Sequence, residues 1–484
     1  MKKTSLDLKE KDFLALLEAV GKIITHQYQI IESKKAYHDF PQSEVESWFD
    51  EPLPQEPIDN FELLELIEEK VINTATGNLG PHMYAYVMAG GNQISTLAEL
   101  LATTINQNAA KWHLAPALHE IEKRVVRWST EMIGYTSGAG GVMVSGGSAA
   151  NLTGLTVARN VYFEEQGIKA KGLFGQKPFI VYSSDQVHSC VDKSVQLLGI
   201  GTDHLRKIET DDNFVIDIQA LEQQIQLDIN NGQKPFCIIG NAGTVNTGAI
   251  DDLEALAGIA QKYDMWFHVD GAYGGLASSL DSIKDKYKGI DKADSIALDF
   301  HKWLYQPFEA GCTLVKEWSM LRRTYFKKAE YLDTSLELDD NRLEFNEHSF
   351  QLSRNSKAFK VWASIKSYGF SKIQQMIQKD IDLAKYLADQ VEEAPDFELK
   401  ARSDLAIACF RYTGNLQSEQ DIDSINKALI PALEKDGRVF ITGTKLRDEF
   451  VIRACLINHR KTRESTDFLL NTIRDVAKKL EDDL

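Results

Sequence analysis

Four short segments place reactive or very small residues directly after apolar runs. The segments are VMVSGGSAANL, FIVYSSDQVHS, WFHVDGAYGG and SIALDFHKWL, and their notable residues are Gly147, Ser148, His188, Asp270 and Lys302. Apolar runs of this length are typical of buried strands. Ligands of an α/β sheet collect at the carboxyl ends of its strands. These residues are therefore the first candidates for chemistry.

Lys302 lies in the largely apolar run IALDFHKWLYQPF. A buried lysine tends to lose its proton because burial disfavours the charged form, and a neutral amine is a nucleophile toward aldehydes. Lys302 is therefore a candidate for Schiff-base formation. The alternative is a structural ion pair with a nearby acid such as Asp299.

The run VSGGSAANLTGL predicts a strand, a glycine turn and a helix that begins near Ala149. Free backbone N–H groups and the helix dipole favour an anion there, while Ser148 is available to cap the helix and to donate its hydroxyl. A phosphate would fit this turn, which is neither a Walker A motif nor GxGxxG. The alternative is a plain glycine turn with an N-cap serine.

His188 and Asp270 complete the set of candidates. A lone histidine is often structural, and a carboxylate at a strand end can cap the next turn, although burying it is costly without a cationic partner. A phosphate turn, a planar ring, a buried acid and a Schiff-base lysine are together what pyridoxal phosphate requires. The acid would keep the ring nitrogen protonated, so that the ring accepts the electron pair released at Cα. The sequence therefore predicts pyridoxal phosphate as the cofactor.

The elements that must position these residues alternate between strands and helices. FIVYSS, FCIIGNAG, WFHVDGA and SIALDF predict buried strands, with LEALAGIAQKY as a crossover helix. This order predicts a mostly parallel sheet covered on both faces. DLAIACFRY, FVIRACLI and a charged last helix predict a smaller α+β domain. We expect an N-terminal helical segment at 1–88, a large α/β domain at 89–370 and the small domain at 371–484.

Two amphipathic patterns, FLALLEAVGKIITHQYQII and FELLELIEEKVI, occupy the N-terminal segment. Each predicts a helix with an apolar stripe that needs a surface to cover it. The segment is either a small cap of its own or an arm that packs on a second subunit.

Composition restricts the class of protein. The chain has 484 residues, of which 43% are hydrophobic and 26% charged, as in ordinary globular proteins. The formal net charge of -17 disfavours nucleic acid and anionic membranes as partners, so we expect a small-molecule substrate. The polar start MKKTSLDLKEKD and the absence of a long apolar stretch predict a cytoplasmic protein. The scattered cysteines form no CxxC pair, which argues against disulfides and a metal site.

From about residue 75 to 370 the sequence resembles the group II pyridoxal-phosphate-dependent amino acid decarboxylases, which include the aromatic L-amino acid, histidine and glutamate decarboxylases. The resemblance rests on SGGSAANL, SSDQVHS, HVDGAYGG and HKWL in this order and spacing. It implies the aspartate-aminotransferase-like fold of type I. It also implies a homodimer whose active site lies at the subunit interface, with the N-terminal helical segment wrapped around the partner.

The resemblance also implies roles for individual residues. Lys302 would form the Schiff base with the cofactor, and His301 would lie near its phosphate. Asp270 would pair with the pyridinium nitrogen, His188 would stack on one face of the ring and Ala272 would pack on the other.

Further residues match the family at the phosphate and in the reaction itself. Gly147 and Ser148 match its phosphate-binding turn, and Thr244 matches a threonine lining the cofactor site. Tyr331 in AEYLDTS matches a loop tyrosine, contributed across the dimer interface, that protonates the substrate carbon after carbon dioxide leaves. Many relatives carry Asn-Pro where this chain has Asp299-Phe300, which leaves the phosphate contact at that position open.

The substrate pocket departs from the aromatic enzymes. Its predicted residues are Tyr86, Val87, Ala89, Asn108 and Ser353. Except for the tyrosine, these residues differ from the aromatic pattern, so the pocket is predicted to be roomier and more polar than a simple ring slot. These segments contain no arginine cluster that would hold an acidic side chain.

The predicted reaction is decarboxylation of an aromatic or heteroaromatic L-amino acid to the primary amine and carbon dioxide. The alternatives are decarboxylation of 2,4-diaminobutyrate or an acidic amino acid, decarboxylation coupled to oxidative deamination that yields an aldehyde, and transamination. Tyr331 argues against the aldehyde product. An inactive scaffold that binds the cofactor is the alternative outside enzymes.

Overall fold

The computed structural model describes residues 6–327 and 342–482 of the chain. It divides into two compact units. One contains the residues up to Tyr86 together with Arg411–Ala454 and the residues from Arg460 onward, and the other contains Val87–Phe410 and Cys455–His459. The three-part division expected from the sequence stays a prediction.

The α-helices of the described residues follow the expected alternation with strands. In chain order they are α1 (Glu10–Gln29), α2 (Gln42–Ser47), α3 (Asn60–Ile67), α4 (Gln93–Ile105), α5 (Pro116–Met132), α6 (Gly147–Tyr162), α7 (Ile168–Lys171), α8 (Cys190–Leu197), α9 (Ile218–Asn230), α10 (Leu253–Lys262), α11 (Phe300–Trp303), α12 (Trp318–Tyr325), α13 (Phe345–His348), α14 (Lys357–Tyr368), α15 (Phe370–Glu393), α16 (Glu419–Asp436) and α17 (Arg463–Asp482).

The strands of the described residues are short, as the apolar runs predict. In chain order they are β1 (Gly140–Val144), β2 (Phe179–Ser184), β3 (Leu205–Ile208), β4 (Lys234–Asn241), β5 (Trp266–Asp270), β6 (Ser295–Asp299), β7 (Gly311–Val315), β8 (Phe397–Arg402), β9 (Ile407–Tyr412), β10 (Thr442–Leu446) and β11 (Glu449–Cys455).

The larger unit is built on a seven-stranded sheet with the order β1-β7-β6-β5-β4-β2-β3. Strand β2 pairs in parallel with β3 and β4, and β5 pairs in parallel with β4 and β6. Strand β7 runs antiparallel to both of its neighbours, β1 and β6. The sheet is therefore mostly parallel, and the predicted fold class is confirmed.

Burial on both faces explains why these strands read as continuous apolar runs. Every residue of β1, β2, β5, β6 and β7 is buried. Helix α6 packs on β6 and β7, and α10, the predicted crossover helix, packs on β4 and β5. The helix α10 begins where the Asp252 side chain accepts a hydrogen bond from the Ala255 N–H, as an N-cap does.

The smaller unit contains the N-terminal helices and much of the chain's last part. Its strands β10 and β11 form an antiparallel hairpin, and α16 packs on α17. No residue of α1 or α3 is buried, and Phe13 on α1 is 55% exposed. The predicted apolar stripes are thus present and open to solvent in the single chain.

No helix in the described part of the chain has both the length and the apolar character needed to cross a membrane.

Candidate active site

Five strands of the large sheet end at one edge, and the candidate residues follow them. The strands β1, β2, β4, β5 and β6 run in one direction, so their carboxyl ends lie together. The turn with Gly147, the loop with His188, the loop with Thr244, the end of β5 and the short helix α11 all start at this edge. This is the position at which α/β sheets bind ligands.

Lys302, Asp270 and His188 lie close enough to influence one another electrically. Lys302 lies in α11 directly after β6, and Asp270 is the last residue of β5 and only 8% exposed. Burial lowers the pKa of His188, the Asp270 carboxylate raises it and the Lys302 ammonium lowers it again. Asp270 and Lys302 therefore both lie near His188. Lys302 is half-buried, which is less than the apolar run around it suggests.

The His188 ring has a defined tautomer. Its Nδ1 accepts the backbone N–H of Cys190 at 3.1 Å. A neutral ring that accepts at Nδ1 carries its proton on Nε2. Because burial also lowers the pKa of His188, the neutral form is favoured. The site thus presents a neutral planar ring beside Asp270 and Lys302.

Asp270 is fixed by its own turn. Its Oδ1 accepts the backbone N–H of Ala272 at 3.1 Å, and Ala272 is buried. A Cβ placed on Gly147 would lie 2.9 Å from the Cβ of Ala272. The glycine at this position therefore lets the turn after β1 approach the turn after β5, and it brings two predicted cofactor contacts together.

The glycine turn differs in detail from the prediction. Helix α6 begins at Gly147, its N-cap is Gly146, and no side chain caps it. Ser148 therefore lies inside the first turn of the helix, and its expected role as the N-cap residue is wrong. Ser148 is exposed.

A chain of buried hydrogen bonds ties α6 to the sheet beneath the turn. Asn151 donates to the Gly147 carbonyl at 3.0 Å, and its Oδ1 lies 2.8 Å from Nε2 of His268. Nδ1 of His268 lies 2.8 Å from Oγ of Ser295 on β6. Burial lowers the pKa of His268 to about 4, so this histidine is a neutral structural link. Sequence reasoning missed this series of hydrogen bonds, although His268 is the histidine of the segment HVD.

The segment of Lys302 is anchored from behind by Asp380 on α15, another residue that sequence reasoning missed. The Asp380 carboxylate accepts the Trp303 indole N–H at 3.1 Å and the Tyr305 hydroxyl at 2.7 Å. Asp380 is fully buried. Trp303 and Tyr305, which follow Lys302 in the sequence, are thus held by one carboxylate. These bonds fix the backbone that carries the lysine.

Thr244 and His301 lie in the loops predicted for them. The Thr244 hydroxyl lies 3.0 Å from the hydroxyl of Thr247 and accepts the Ala249 N–H at 3.1 Å, so it shapes its own loop. His301 lies beside the glycine turn, since a Cβ on Gly146 would be 3.0 Å from Cε1 of His301.

The comparisons with known proteins agree with this geometry. The family model described as the pyridoxal-dependent decarboxylase conserved domain matches residues 41–413. The chain belongs to this family. It is a pyridoxal-phosphate-dependent carboxy-lyase that acts on an amino acid.

Individual relatives of this decarboxylase extend over nearly its whole length. The aromatic-L-amino-acid decarboxylase of Bacillus atrophaeus is 34% identical over 464 residues, which cover 96% of this chain and 95% of that one. The solved structure of Oryza sativa TDC with PLP and tryptamine has a TM-score of 0.92 at 23% identity, covering 99% and 100% of the two chains. Catharanthus roseus tryptophan decarboxylase in complex with L-tryptophan has a TM-score of 0.88 at 25% identity, covering 99% and 100%. The likenesses confirm fold type I.

The residues at the edge of the sheet fit the cofactor that the family requires. Gly146 and Gly147 form the turn at which α6 begins, and the N-terminus of a helix suits a phosphate. A carboxylate at the end of β5 suits a protonated ring nitrogen, and a lysine beside it suits an aldehyde. The decarboxylase therefore presents groups for the phosphate, the ring and the aldehyde of the cofactor at one edge.

The predicted pocket residues are distributed over both compact units. Tyr86 belongs to the smaller unit, where its carbonyl accepts a hydrogen bond from Arg453 at 2.9 Å. In the larger unit Val87 and Ala89 are buried and Ser353 is exposed. Tyr331 lies outside the described residues.

The Asn108 side chain hydrogen-bonds the backbone on both sides of Ser353. Its Oδ1 accepts the N–H groups of Ala110 at 3.1 Å and Arg354 at 3.2 Å, and its Nδ2 donates to the Leu352 carbonyl at 3.1 Å. The structure thus brings two predicted pocket segments together. A substrate contact of Asn108 stays a prediction.

A buried ion pair near this segment was missed from the sequence. Arg354 donates to Glu122 at 2.8 Å and to the Met143 carbonyl at 3.2 Å, while Glu122 accepts the Met143 N–H at 3.0 Å. Both charged side chains are almost fully buried. The pair ties the segment after α13 to β1, the strand that leads into the glycine turn. QLSRN shows the arginine, but its partner lies far away in the chain.

Proposed function

We propose that this decarboxylase acts on an aromatic or heteroaromatic L-amino acid and releases the primary amine and carbon dioxide. The observation that carries the proposal is the meeting of Lys302, Asp270 and His188 at the carboxyl edge of the sheet. The relative from Bacillus atrophaeus, named an aromatic-L-amino-acid decarboxylase, supports the substrate class.

Lys302 and Asp270 have the central roles in this proposal. The bound cofactor supplies an electron sink for the pair left at Cα when carbon dioxide departs. Lys302 would hold the aldehyde group of the cofactor through its Nζ atom. Asp270 would keep a proton on the ring nitrogen through Oδ2, since its Oδ1 accepts the Ala272 N–H.

The remaining residues bind and orient the cofactor. The neutral His188 ring would stack on one face of the pyridine ring, and Ala272 would pack on the other. Gly147 and Ser148 would hold the phosphate, with His301 close to it and Thr244 lining the site. The close approach of Gly147 and Ala272 supports a common site for the phosphate and the ring.

Tyr331 completes the reaction as the proton donor to the substrate carbon. The enzyme would select decarboxylation by how it orients the carboxylate of the substrate. A general acid positioned at the carbon then gives the amine. The match of AEYLDTS to the family supports this role.

The pocket contacts favour an aromatic over a diamino acid substrate. Asn108 is one of the residues that make the predicted pocket more polar than that of the aromatic enzymes. Its amide is used on the backbone of Ala110, Leu352 and Arg354, which removes most of its capacity to bind a substrate amine. Val87 and Ala89, two further residues of the predicted pocket, are apolar and buried.

A panel of the twenty amino acids and several diamino acids, scored for carbon dioxide and amine, tests the substrate class. We expect tryptophan, tyrosine, phenylalanine or histidine to give the highest kcat/KM, at least about tenfold above any acidic or diamino acid, because apolar burial of a ring contributes on the order of 1.5–3 kcal/mol. If all four are inert while 2,4-diaminobutyrate or glutamate reacts, the aromatic assignment is wrong. If no amino acid reacts although the cofactor is bound, the inactive scaffold is correct.

Changing Tyr331→Phe should lower amine formation by about 10²–10⁴-fold, since it removes the hydroxyl of the proposed general acid. Amine, aldehyde and carbon dioxide should be measured together, because loss of the proton donor leaves the carbon open to oxidation. The exposed Tyr368 on α14 provides a matched control, and Tyr368→Phe should leave all three products unchanged. An unaltered amine yield in Tyr331→Phe would remove Tyr331 from its role.

We also propose that the enzyme works as a homodimer with its active site at the subunit interface. Helix α1 exposes Phe13, Leu14 and Leu17, and α4 exposes Leu97 and Leu101. Apolar stripes of this kind mark association surfaces.

We also propose a cytoplasmic location. The five cysteines are all buried free thiols, which supports this location.

A further inference from the structure

The carboxylate of Asp299 occupies the glycine turn that is proposed to bind the phosphate. Asp299 ends β6 and is only 3% exposed. Its Oδ2 accepts the backbone N–H of Gly147 at 2.8 Å. This N–H belongs to the first residue of α6, where the helix dipole and free amides favour an anion. The chain's own anion therefore already uses the amide that a phosphate would need.

The second carboxylate oxygen of Asp299 is also used within the protein. Oδ1 of Asp299 lies 2.8 Å from Nδ1 of His301, which is the distance of a close polar pair. His301 itself lies beside the glycine turn, since a Cβ on Gly146 would be 3.0 Å from its Cε1. The buried carboxylate is therefore held between Gly147 and His301.

We infer that Asp299 is an affinity-determining residue for the cofactor, which weakens binding of the phosphate group by competing for the Gly147 N–H and by repelling the phosphate charge. This inference rests on the proposed phosphate site at Gly147. Two anions a few Å apart repel each other strongly where solvent is mostly excluded. A phosphate that binds at Gly147 would have to displace the Asp299 carboxylate from the Gly147 N–H. The carboxylate would keep its contact with His301.

The effect of Asp299 is specific for the phosphate group, so a cofactor form without phosphate should not show it. Pyridoxal lacks the phosphate but carries the same aldehyde and the same ring. Asp299 therefore lowers the affinity for pyridoxal phosphate and leaves the affinity for pyridoxal nearly unchanged. A residue with a merely structural role would change both affinities together.

The test titrates the full-length protein, freed of cofactor, with pyridoxal phosphate and separately with pyridoxal. The fraction bound is read from the visible absorbance, and the rate of cofactor loss from the loaded protein is read after dilution. Asp299→Asn has nearly the same shape and its side-chain oxygen still accepts the Gly147 N–H, but it carries no charge. We expect its Kd for pyridoxal phosphate to fall by about tenfold or more, with slower cofactor loss and a change below about twofold for pyridoxal.

Controls separate this inference from the proposed function. Asp299→Ser, a second neutral variant, should shift the affinity in the same direction, and it guards against misfolding of Asp299→Asn. Asp294→Asn removes a carboxylate from the opposite edge of the same strand and should leave both affinities unchanged. Weaker or equal binding of pyridoxal phosphate in both neutral variants, or equal tightening for both ligands, overturns the inference. If the unmodified protein itself fails to bind pyridoxal phosphate, the proposed site is wrong.

Discussion

Replacing Lys302 with alanine is expected to abolish the visible absorbance band of the bound cofactor and to lower kcat/KM by at least about 10³-fold, or about 4 kcal/mol. The half-buried lysine lies near His188, as Asp270 does. Its amine would reach the aldehyde of the cofactor that Asp270 and His188 orient. Alanine keeps the short helix α11 but has no nucleophile. Absorbance of the purified variant and carbon dioxide release measure the two losses.

Borohydride reduction of the loaded enzyme, followed by mass analysis of its peptides, locates the covalent bond. The added mass should lie on the peptide that contains FHKWL and should be missing from Lys302→Ala. Lys316 is the matched control, because its amine bonds Asp294 at 2.7 Å at the opposite edge of the sheet. Lys316→Ala should keep the band, the labelled peptide and the activity. A band that persists in Lys302→Ala would assign the covalent bond to another lysine.

The strands of the large sheet could be predicted because burial on both faces leaves a simple pattern. FIVYSS, WFHVDGA and SIALDF became β2, β5 and β6 within two residues at each end. Parallel strands put their carboxyl ends at one edge, so the approximate position of the site followed from the order of the elements. Long amphipathic helices such as α1 were equally clear, because their period is sustained over many residues.

The contacts within the site could not be predicted, since they depend on residues that are distant in the chain. Asp299 was considered as a partner of Lys302, three positions away, but its described contacts go to Gly147 and His301. Helix α6 begins earlier than expected because Gly146 and Gly147 pack against the neighbouring turns, and local capping preference does not register such packing. Side-chain roles in this chain were therefore decided by tertiary contacts.

The same limit applies to the buried groups that support the site. Asp380 lies far along the chain from the Trp303 and Tyr305 side chains it binds, and Glu122 is farther still from Arg354. A charged residue inside a helical pattern usually indicates an exposed face. Only the folded arrangement shows that these charges are buried and paired.

Asp270→Asn is expected to lower kcat/KM by about a hundredfold or more, or at least about 2.7 kcal/mol, while the cofactor still binds to Lys302. Asparagine has nearly the same shape, and its side-chain oxygen still accepts the Ala272 N–H that Asp270 accepts at 3.1 Å. The local fold is therefore kept. An amide does not hold a proton on the ring nitrogen as a carboxylate does, so the variant loses electrostatic stabilisation of charge that develops during the reaction. The measurement is the carbon dioxide release rate at saturating cofactor.

A cofactor methylated at its ring nitrogen distinguishes this role of Asp270 from a structural one. Its nitrogen carries a fixed positive charge that needs no proton, and Asp270→Ala provides room for the methyl group. The methylated cofactor should therefore restore part of the rate that Asp270→Ala loses with the ordinary cofactor. Asp294→Asn, at the other edge of the sheet, should retain full activity with the ordinary cofactor. If the methylated cofactor restores nothing, while the variant remains folded and binds it, Asp270 acts by positioning rather than by charge.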